Sequence, residues 1–311
     1  MVFRPKLSPA VAAVRLAVRE SFAEAQLQPG DLVLVACSGG ADSLALAAAT
    51  AFEAKQAKLQ AGAAVIDHGL QDGSAEVAEQ ARQQLVALGL NPVQVRKVTV
   101  GASGGLEAAA RTARYQALLE IREKTGAKWL LLGHTMDDQA ETVLLGLTRG
   151  SGARSLSGMR RVNDCYLRPM LGLTRQTTEQ FCRDSNLDYW QDPHNSDPSF
   201  TRVRIRQQVL PLLEREMGPG VASALARTAD QLREDDALLT DLAQSQFKLT
   251  AKLAATSISF SVAALRDQPL ALRHRMLGLA IEALAAPAAS RVHMLAIDQL
   301  LDDWHGQKPL T

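Results

Sequence analysis

Along the first 150 or so residues, short continuous apolar runs recur between longer stretches whose apolar positions return every three or four residues. The runs at 32–37, 61–66 and 128–132 have the length and bounding turn residues of buried strands, and a further short strand is expected around 93–98. The stretches at 9–26, 43–58, 74–88 and 107–124 have helical spacing. Pro9 stands near the start of the first, Pro29-Gly30 follows its end, and Gly89 is placed to cap the third. Strands and helices alternating at these lengths predict an α/β fold, an open, mostly parallel sheet with helices on both faces. Such sheets bind ligands beyond the carboxyl ends of their strands. Segments 38–43, 67–70 and 133–141 each begin where a predicted strand ends, so three polar segments meet at one edge.

Beyond residue 150 the pattern changes. A Gly/Ser/Arg loop at 150–158 leads to a short apolar run near 165–167 and a helix over 175–185. An Asp/Asn/Pro/Ser-rich loop at 192–201 follows, then helices over 203–217 and 220–246. The last third is Ala/Leu-rich with helical spacing, except for a candidate strand at 257–262. A boundary near Gly218 divides the chain into a domain over 1–217 and a smaller, mainly helical domain over 218–311.

Composition narrows the class without choosing a function. A hydrophobic content of 47% and a charged content of 22% are those of a globular chain, and a net charge of +1 leaves any basic surface local. Cys37, Cys165 and Cys182 are an odd number with no C-x-x-C pair, which argues against disulfides or a zinc site and for reduced thiols. The apolar stretch 44–66 is interrupted by Glu53, Lys55 and Lys58, so it predicts no membrane span, and a cytoplasmic location is expected.

The candidate chemistry gathers in four places. Ser38, Gly39, Gly40, Ala41, Asp42 and Ser43 form a Gly/Ser turn between a strand and a helix, where backbone N–H groups and hydroxyls converge to suit an anion such as pyrophosphate. The turn carries no lysine, which excludes a Walker-type loop; an ordinary capped glycine turn is the alternative. In 133–142, Asp138 and Glu141 are three apart, on a flank turned away from the face formed by Ala140, Val143, Leu144 and Leu147. Two such carboxylates hold a metal or an ammonium, or merely favour a helix N-terminus. Arg111 and Arg114 share a helix face, with Glu107 spaced to pair with Arg111; they are aimed at phosphate or simply solvated. Basic clusters at Arg149, Arg154, Arg160 and Arg161 and at Arg202, Arg204 and Arg206 suit a nucleic-acid backbone or a solvated surface. His68, His134 and His194 lie near polar loops without metal-ligand spacing, and Tyr189, Trp190 and Phe200 are placed to stack on a base or to anchor their loop.

Taken together, SGGADS at 38–43, IDHGL at 66–70, EAAARTARY at 107–115, GHTMDDQAETVLLGLTRGSG at 133–152, RPMLGL at 168–173 and WQDPHNSDPSFTRVRIR at 190–206 resemble the tRNA(Ile)-lysidine synthetases. These are carbon–nitrogen ligases among the N-type ATP pyrophosphatases, the PP-loop family. The resemblance covers most of 31–217. It implies ATP-dependent adenylation of the C2 oxygen of the wobble cytidine in an isoleucine tRNA with a CAU anticodon, followed by displacement of AMP by the side-chain amine of L-lysine.

On that resemblance Ser38, Gly39, Gly40, Ala41, Asp42, Ser43, Asp67, His68 and Gly133 bind ATP, with Asp42 also a Mg²⁺ ligand. Asp138 and Glu141 hold lysine, Arg111 or Arg114 positions the cytidine or its phosphate, and His134 is the nominated base. Arg149, Arg154, Arg202, Arg204 and Arg206 face tRNA. Longer members carry a second C-terminal domain that the resemblance does not extend to here, so acceptor-stem recognition would rest on the helical region after 218 or be weaker. Oligomeric state is not legible, and a homodimer stays open. The rival readings are a tRNA thiolase, which uses paired cysteines, an ammonia-using synthetase, and a non-catalytic tRNA-binding protein on the same fold.

Overall fold

The computed structural model describes residues 7–69, 73–99, 101, 106–148, 152–287 and 289–302. Leu70, most of the loop at 101–105, the Glu107 side chain and Arg149 lie outside the described residues.

The chain divides into two compact units, residues 1–229 and 230–311. In the first, the elements run α1 (Pro9–Glu24), β1 (Leu32–Ala36), α2 (Ala41–Gln56), β2 (Gln60–Asp67), α3 (Ser74–Ala87), β3 (Val93–Lys97), α4 (Leu106–Thr125), β4 (Trp129–Leu132) and α5 (Met136–Thr148). They continue with α6 (Ala153–Leu156), β5 (Val162–Asn163), β6 (Tyr166–Leu167), α7 (Arg175–Asp184), α8 (Thr201–Arg204) and α9 (Leu210–Met217). Helix α10 (Val221–Thr250) crosses the division between the units.

The six strands form one sheet in the order β3-β2-β1-β4-β6-β5, parallel except for β5. Side chains of a strand alternate between faces, and β1 shows the result. Val33, Val35 and Cys37 enter one core cluster with Val14 and Val18 of α1 and Leu46 of α2, while Leu34 and Ala36 enter another with Leu118 and Ile121 of α4. Both faces are therefore covered, as the unbroken apolar runs of buried parallel strands require. Crossovers from β1 and β4 leave in opposite directions along the sheet, so the strand order reverses between them. A crevice opens at such a point beyond the strand ends, and here it receives the 38–43 turn from β1 and the 133–135 turn from β4.

Two expectations for the later part of this unit change. The helix expected over 203–217 is interrupted by a π-helical turn at Ile205–Val209. Pro211, near the start of α9, has no N–H to give the preceding turn, so the regular hydrogen-bond ladder breaks there. The buried face of helix α5 is shifted from the expected one: Ile205, Leu210, Ala222 and Leu225 cluster with Ala140, Leu144 and also Leu145, and Leu147 is exposed instead.

In the second unit β7 (Lys252–Leu253) pairs with β8 (Ile258–Ser259), so the strand expected at 257–262 exists in shortened form. Helices α11 (Val262–Arg266), α12 (Leu270–Ala283) and α13 (Arg291–Asp302) complete it. Its core joins Ala243, Leu265, Met276 and Leu277, with Phe247 edge-on to Phe260 and Arg275 donating to Asp236 at 2.8 Å.

Candidate active site

A cavity of about 660 Å³ opens at the carboxyl ends of β1 and β4. Its floor is the 38–43 turn. Ser43 buries its hydroxyl there, donating to the Gly40 carbonyl at 3.0 Å and accepting from the Ser38 N–H at 3.1 Å. Gly39 sits at φ +84°, where an L side chain is strained, and its carbonyl accepts from the Trp190 N–H at 2.9 Å. Gly40 caps α2 without a side-chain hydrogen bond, so the first N–H groups of that helix are left for a ligand.

Gly133 closes the other wall. A Cβ there would stand 3.1 Å from Ser43 Cα and N and 3.2 Å from the Asp42 carbonyl carbon. All three are backbone atoms, which cannot swing aside. Gly133→Ala is therefore expected to push the start of α2 and weaken nucleotide binding at least about 10-fold with the fold retained, as a nucleotide titration beside a thermal melt would read. Unchanged nucleotide affinity would remove this account of the glycine.

The carboxylates are paired rather than free, and Glu141 alone of the three is fully buried. Asp42 accepts from Thr178 Oγ1 and, at 3.3 Å, from Arg175 Nε. Burial raises its pKa, against the pull of Arg175 and the Thr178 hydrogen bond. Asp138 accepts from the Thr135 N–H at 2.8 Å and the Thr135 hydroxyl at 3.0 Å, a capping contact at the start of α5, and from Arg175 Nη2 at 3.0 Å. Burial works to raise it, but Arg175 together with its other partners holds it below the usual carboxylate value.

Glu141 corrects an expectation. It is fully buried rather than turned outward, and Arg206 clamps it through Nε at 2.6 Å and Nη2 at 3.2 Å. Arg202 adds a contact at 3.7 Å. The reason is the layer of Ile205, Leu210, Ala222 and Leu225 over α5, which extends to Leu145, one turn beyond Glu141, on the flank that helical periodicity leaves open. Burial raises the Glu141 pKa despite that clamp.

The arginines sort differently from their sequence grouping. Arg202 and Arg206 are four apart and both line the cavity, whereas Arg204 donates to the carbonyls of Pro198 at 2.7 Å and Ser199 at 2.8 Å and organises the loop before it. Arg154 is exposed on α6, away from the cavity lining. Arg111 and Arg114 line the cavity, and among the described residues no carboxylate pairs with either. Arg111 lies over the Tyr115 ring at 4.9 Å, and burial draws Arg114 below the usual guanidinium value.

His68 and His134 line the cavity, each with a buried Nδ1 that has no partner among the described residues. Asp67 does not; its Oδ1 accepts from the Gly69 N–H at 2.8 Å and shapes the turn after β2. Burial drives the His134 pKa down to about 3, with Arg114 and Arg168 adding to the effect and Asp138 opposing it. An imidazole held neutral in this way is a weak base, so the nomination of His134 as general base is not supported by its surroundings.

The same shift has a consequence for stability. Between about pH 3 and 6.5 the unfolded chain takes up a proton at His134 that the folded chain refuses, so this contribution is complete above pH 6.5 and is lost as pH falls. Wild type is expected to lose about 1–2 kcal/mol more than His134→Gln between pH 7 and pH 5 in urea unfolding. Equal losses would contradict it.

Helix α7 supplies residues that no motif reading singled out. Arg175, Thr178 and Glu179 stand in its first turns; Arg175 joins Asp42 to Asp138, and its own N–H donates to Asp137 Oδ2 at 2.8 Å. One signal was present in the sequence. An arginine in the first position of a helix opposes the helix dipole and implies a local anion. Tyr189, Trp190, Gln191 and Asp192 complete the rim.

A reversed strand order, a lysine-free phosphate turn and an uncapped helix start define a PP-loop domain, and the model of that domain matches residues 14–213. The structure of a U34-tRNA thiolase from Methanococcus maripaludis shares the fold, with a TM-score of 0.60 at 17% identity over 72% of this chain and 80% of that one. Within the PP-loop class, the chain belongs to the tRNA(Ile)-lysidine synthase family. It is 56% identical to the tRNA(Ile)-lysidine synthase of Leifsonia xyli over 92% of this chain and 86% of that protein. It is 49% identical to that of Thermobifida fusca over 96% of this chain and 91% of that protein.

Proposed function

We propose that this protein ligates free lysine to C2 of the wobble cytidine of the CAU-anticodon isoleucine tRNA, using ATP and releasing AMP and pyrophosphate. The observation that carries the reading is a single cavity in which the 38–43 turn, the Asp138 carboxylate and the side chains of Arg111 and Arg114 face one another. ATP has a place on the turn, the ammonium of the amino-acid substrate has one at Asp138, and anionic RNA has one at the arginines.

The residues present suit Mg²⁺ bound with a nucleotide. That ion takes one or two carboxylates and completes its shell with phosphate oxygens and water. Asp42 is a carboxylate on the cavity wall beside the phosphate turn, with Asp138 across the same guanidinium. When bound, Mg²⁺ neutralises charge on the departing pyrophosphate. The chain's own part is to hold the phosphates on the N–H groups at the start of α2 and to orient the C2 oxygen with Arg111 and Arg114. Asp138 receives the lysine ammonium, with Glu141 behind it. Residues 1–217 carry this chemistry, with Arg154 and Arg202 among their contacts to tRNA, and the helical region after them is a tRNA-binding domain in its own right.

The test is incorporation of labelled lysine into an isoleucine tRNA transcript with a CAU anticodon, with a methionine tRNA of the same anticodon as control. ATP-dependent labelling of the first alone is expected. Pyrophosphate release without labelling would keep the adenylation step and reject lysine as the nucleophile.

A further inference from the structure

The first turn of α7 touches both halves of the cavity. Arg175 reaches Asp42 at 3.3 Å, beside the phosphate turn, and Asp138 at 3.0 Å, where lysine is received. The backbone under it is pinned by Asp137 at 2.8 Å, and Thr178, one turn on, donates to Asp42 as well. Three elements distant in sequence, α2, α5 and α7, thus converge on one guanidinium. That guanidinium makes the nearer of two cationic contacts, at 3.0 Å, to the carboxylate that an incoming ammonium needs; Arg206 stands 3.5 Å from the same oxygen. The Arg175 guanidinium also stands in the same cavity as the turn where a triphosphate sits. Guanidinium binds phosphate oxygens through paired hydrogen bonds, and a triphosphate carries more charge than either carboxylate.

We propose that Arg175 couples the two half-sites: a triphosphate on the 38–43 turn draws its guanidinium away from Asp42 and Asp138, which opens Asp138 to the lysine ammonium. The inference rests on the lysine-ligase reading. Arg175 is a positioning residue in this scheme, since it acts through the two aspartates. Because coupling between sites is reciprocal, lysine tightens nucleotide binding by the same factor. The arrangement delays lysine capture until the adenylating nucleotide is in place.

The test is calorimetric titration of lysine into the full chain, with and without Mg²⁺ and the α,β-methylene analogue of ATP, which cannot be cleaved at the reacting bond. In wild type the analogue is expected to tighten lysine binding about 10-fold, within the usual range for coupled sites. Arg175→Gln is expected to bind lysine equally with and without the analogue, within about 2-fold, and at the tighter of the two wild-type affinities. A merely structural role would instead weaken lysine binding in the variant. Arg175→Met replaces the glutamine variant if that one does not fold.

Wild type that binds nucleotide and lysine independently overturns the coupling and leaves the ligase reading standing, as does a folded Arg175 variant that keeps the wild-type coupling. Wild type that binds the analogue but no lysine in either state overturns both.

Discussion

Replacing Asp42 by asparagine is expected to lower lysine ligation at least about 10³-fold while leaving the fold intact. The substitution keeps the shape of a side chain that accepts from Thr178 and Arg175 and removes only its charge. Burial already raises the pKa of this carboxyl, so the charge is costly to the folded state, and losing it should change stability by no more than about 1 kcal/mol. What disappears is a carboxylate able to hold a cation against the phosphates, and losses of such electrostatic groups commonly cost factors of 10² to 10³ or more. Pyrophosphate release, assayed with tRNA and ATP but no lysine, should fall by the same factor, which places the defect in the first half-reaction. A variant within about 10-fold of wild type would remove Asp42 from the chemistry.

Arg206→Ala should have the largest effect on stability. It leaves Glu141, fully buried, without its two-point partner, with Arg202 at 3.7 Å and the more distant Arg175 to answer the charge. Removing one member of a buried ion pair typically costs about 3–5 kcal/mol, because the other charge stays behind. The pH dependence has a definite sign. The Glu141 pKa is already raised by burial in wild type, and loss of Arg206 raises it further. A carboxyl with a raised folded-state pKa binds a proton more readily folded than unfolded, so its penalty is full at high pH and relieved as pH falls. The deficit of Arg206→Ala in urea unfolding should therefore be smaller at pH 5 than at pH 8. Adding Glu141→Gln in the same background should recover a large part of it at pH 8. Deficits that do not vary with pH would mean that Arg206 acts by packing and not by charge.

Both results depend on features that differ in how far sequence reveals them. The alternation of runs and helices was enough for the parallel sheet, because each buried strand must be apolar on both faces and each helix on one. Val33 and Leu34 lie next to each other in sequence and enter opposite cores for that reason. The 38–43 turn and Asp138 were legible because they follow strand ends, which in this architecture all point to one edge. Gly133 was recognisable as part of a motif, but its reason, a backbone approach to Ser43 and Asp42, is a distance across the fold.

The chain by itself determined the fold class, the edge of the sheet that carries the site, and most of the polar side chains gathered there. These follow from local periodicity and from the direction of parallel strands. Tertiary structure alone decided which charges meet. It buried Glu141 under Arg206, turned Arg204 to its own loop, left Arg111 and Arg114 without carboxylate partners among the described residues, and brought Arg175 between Asp42 and Asp138. Asp42 and Arg175 are 133 residues apart, and no spacing rule reaches that far. The physical reason is that helical and strand periods order neighbours within one element, whereas the pairing of charges is set by which elements pack across the crevice.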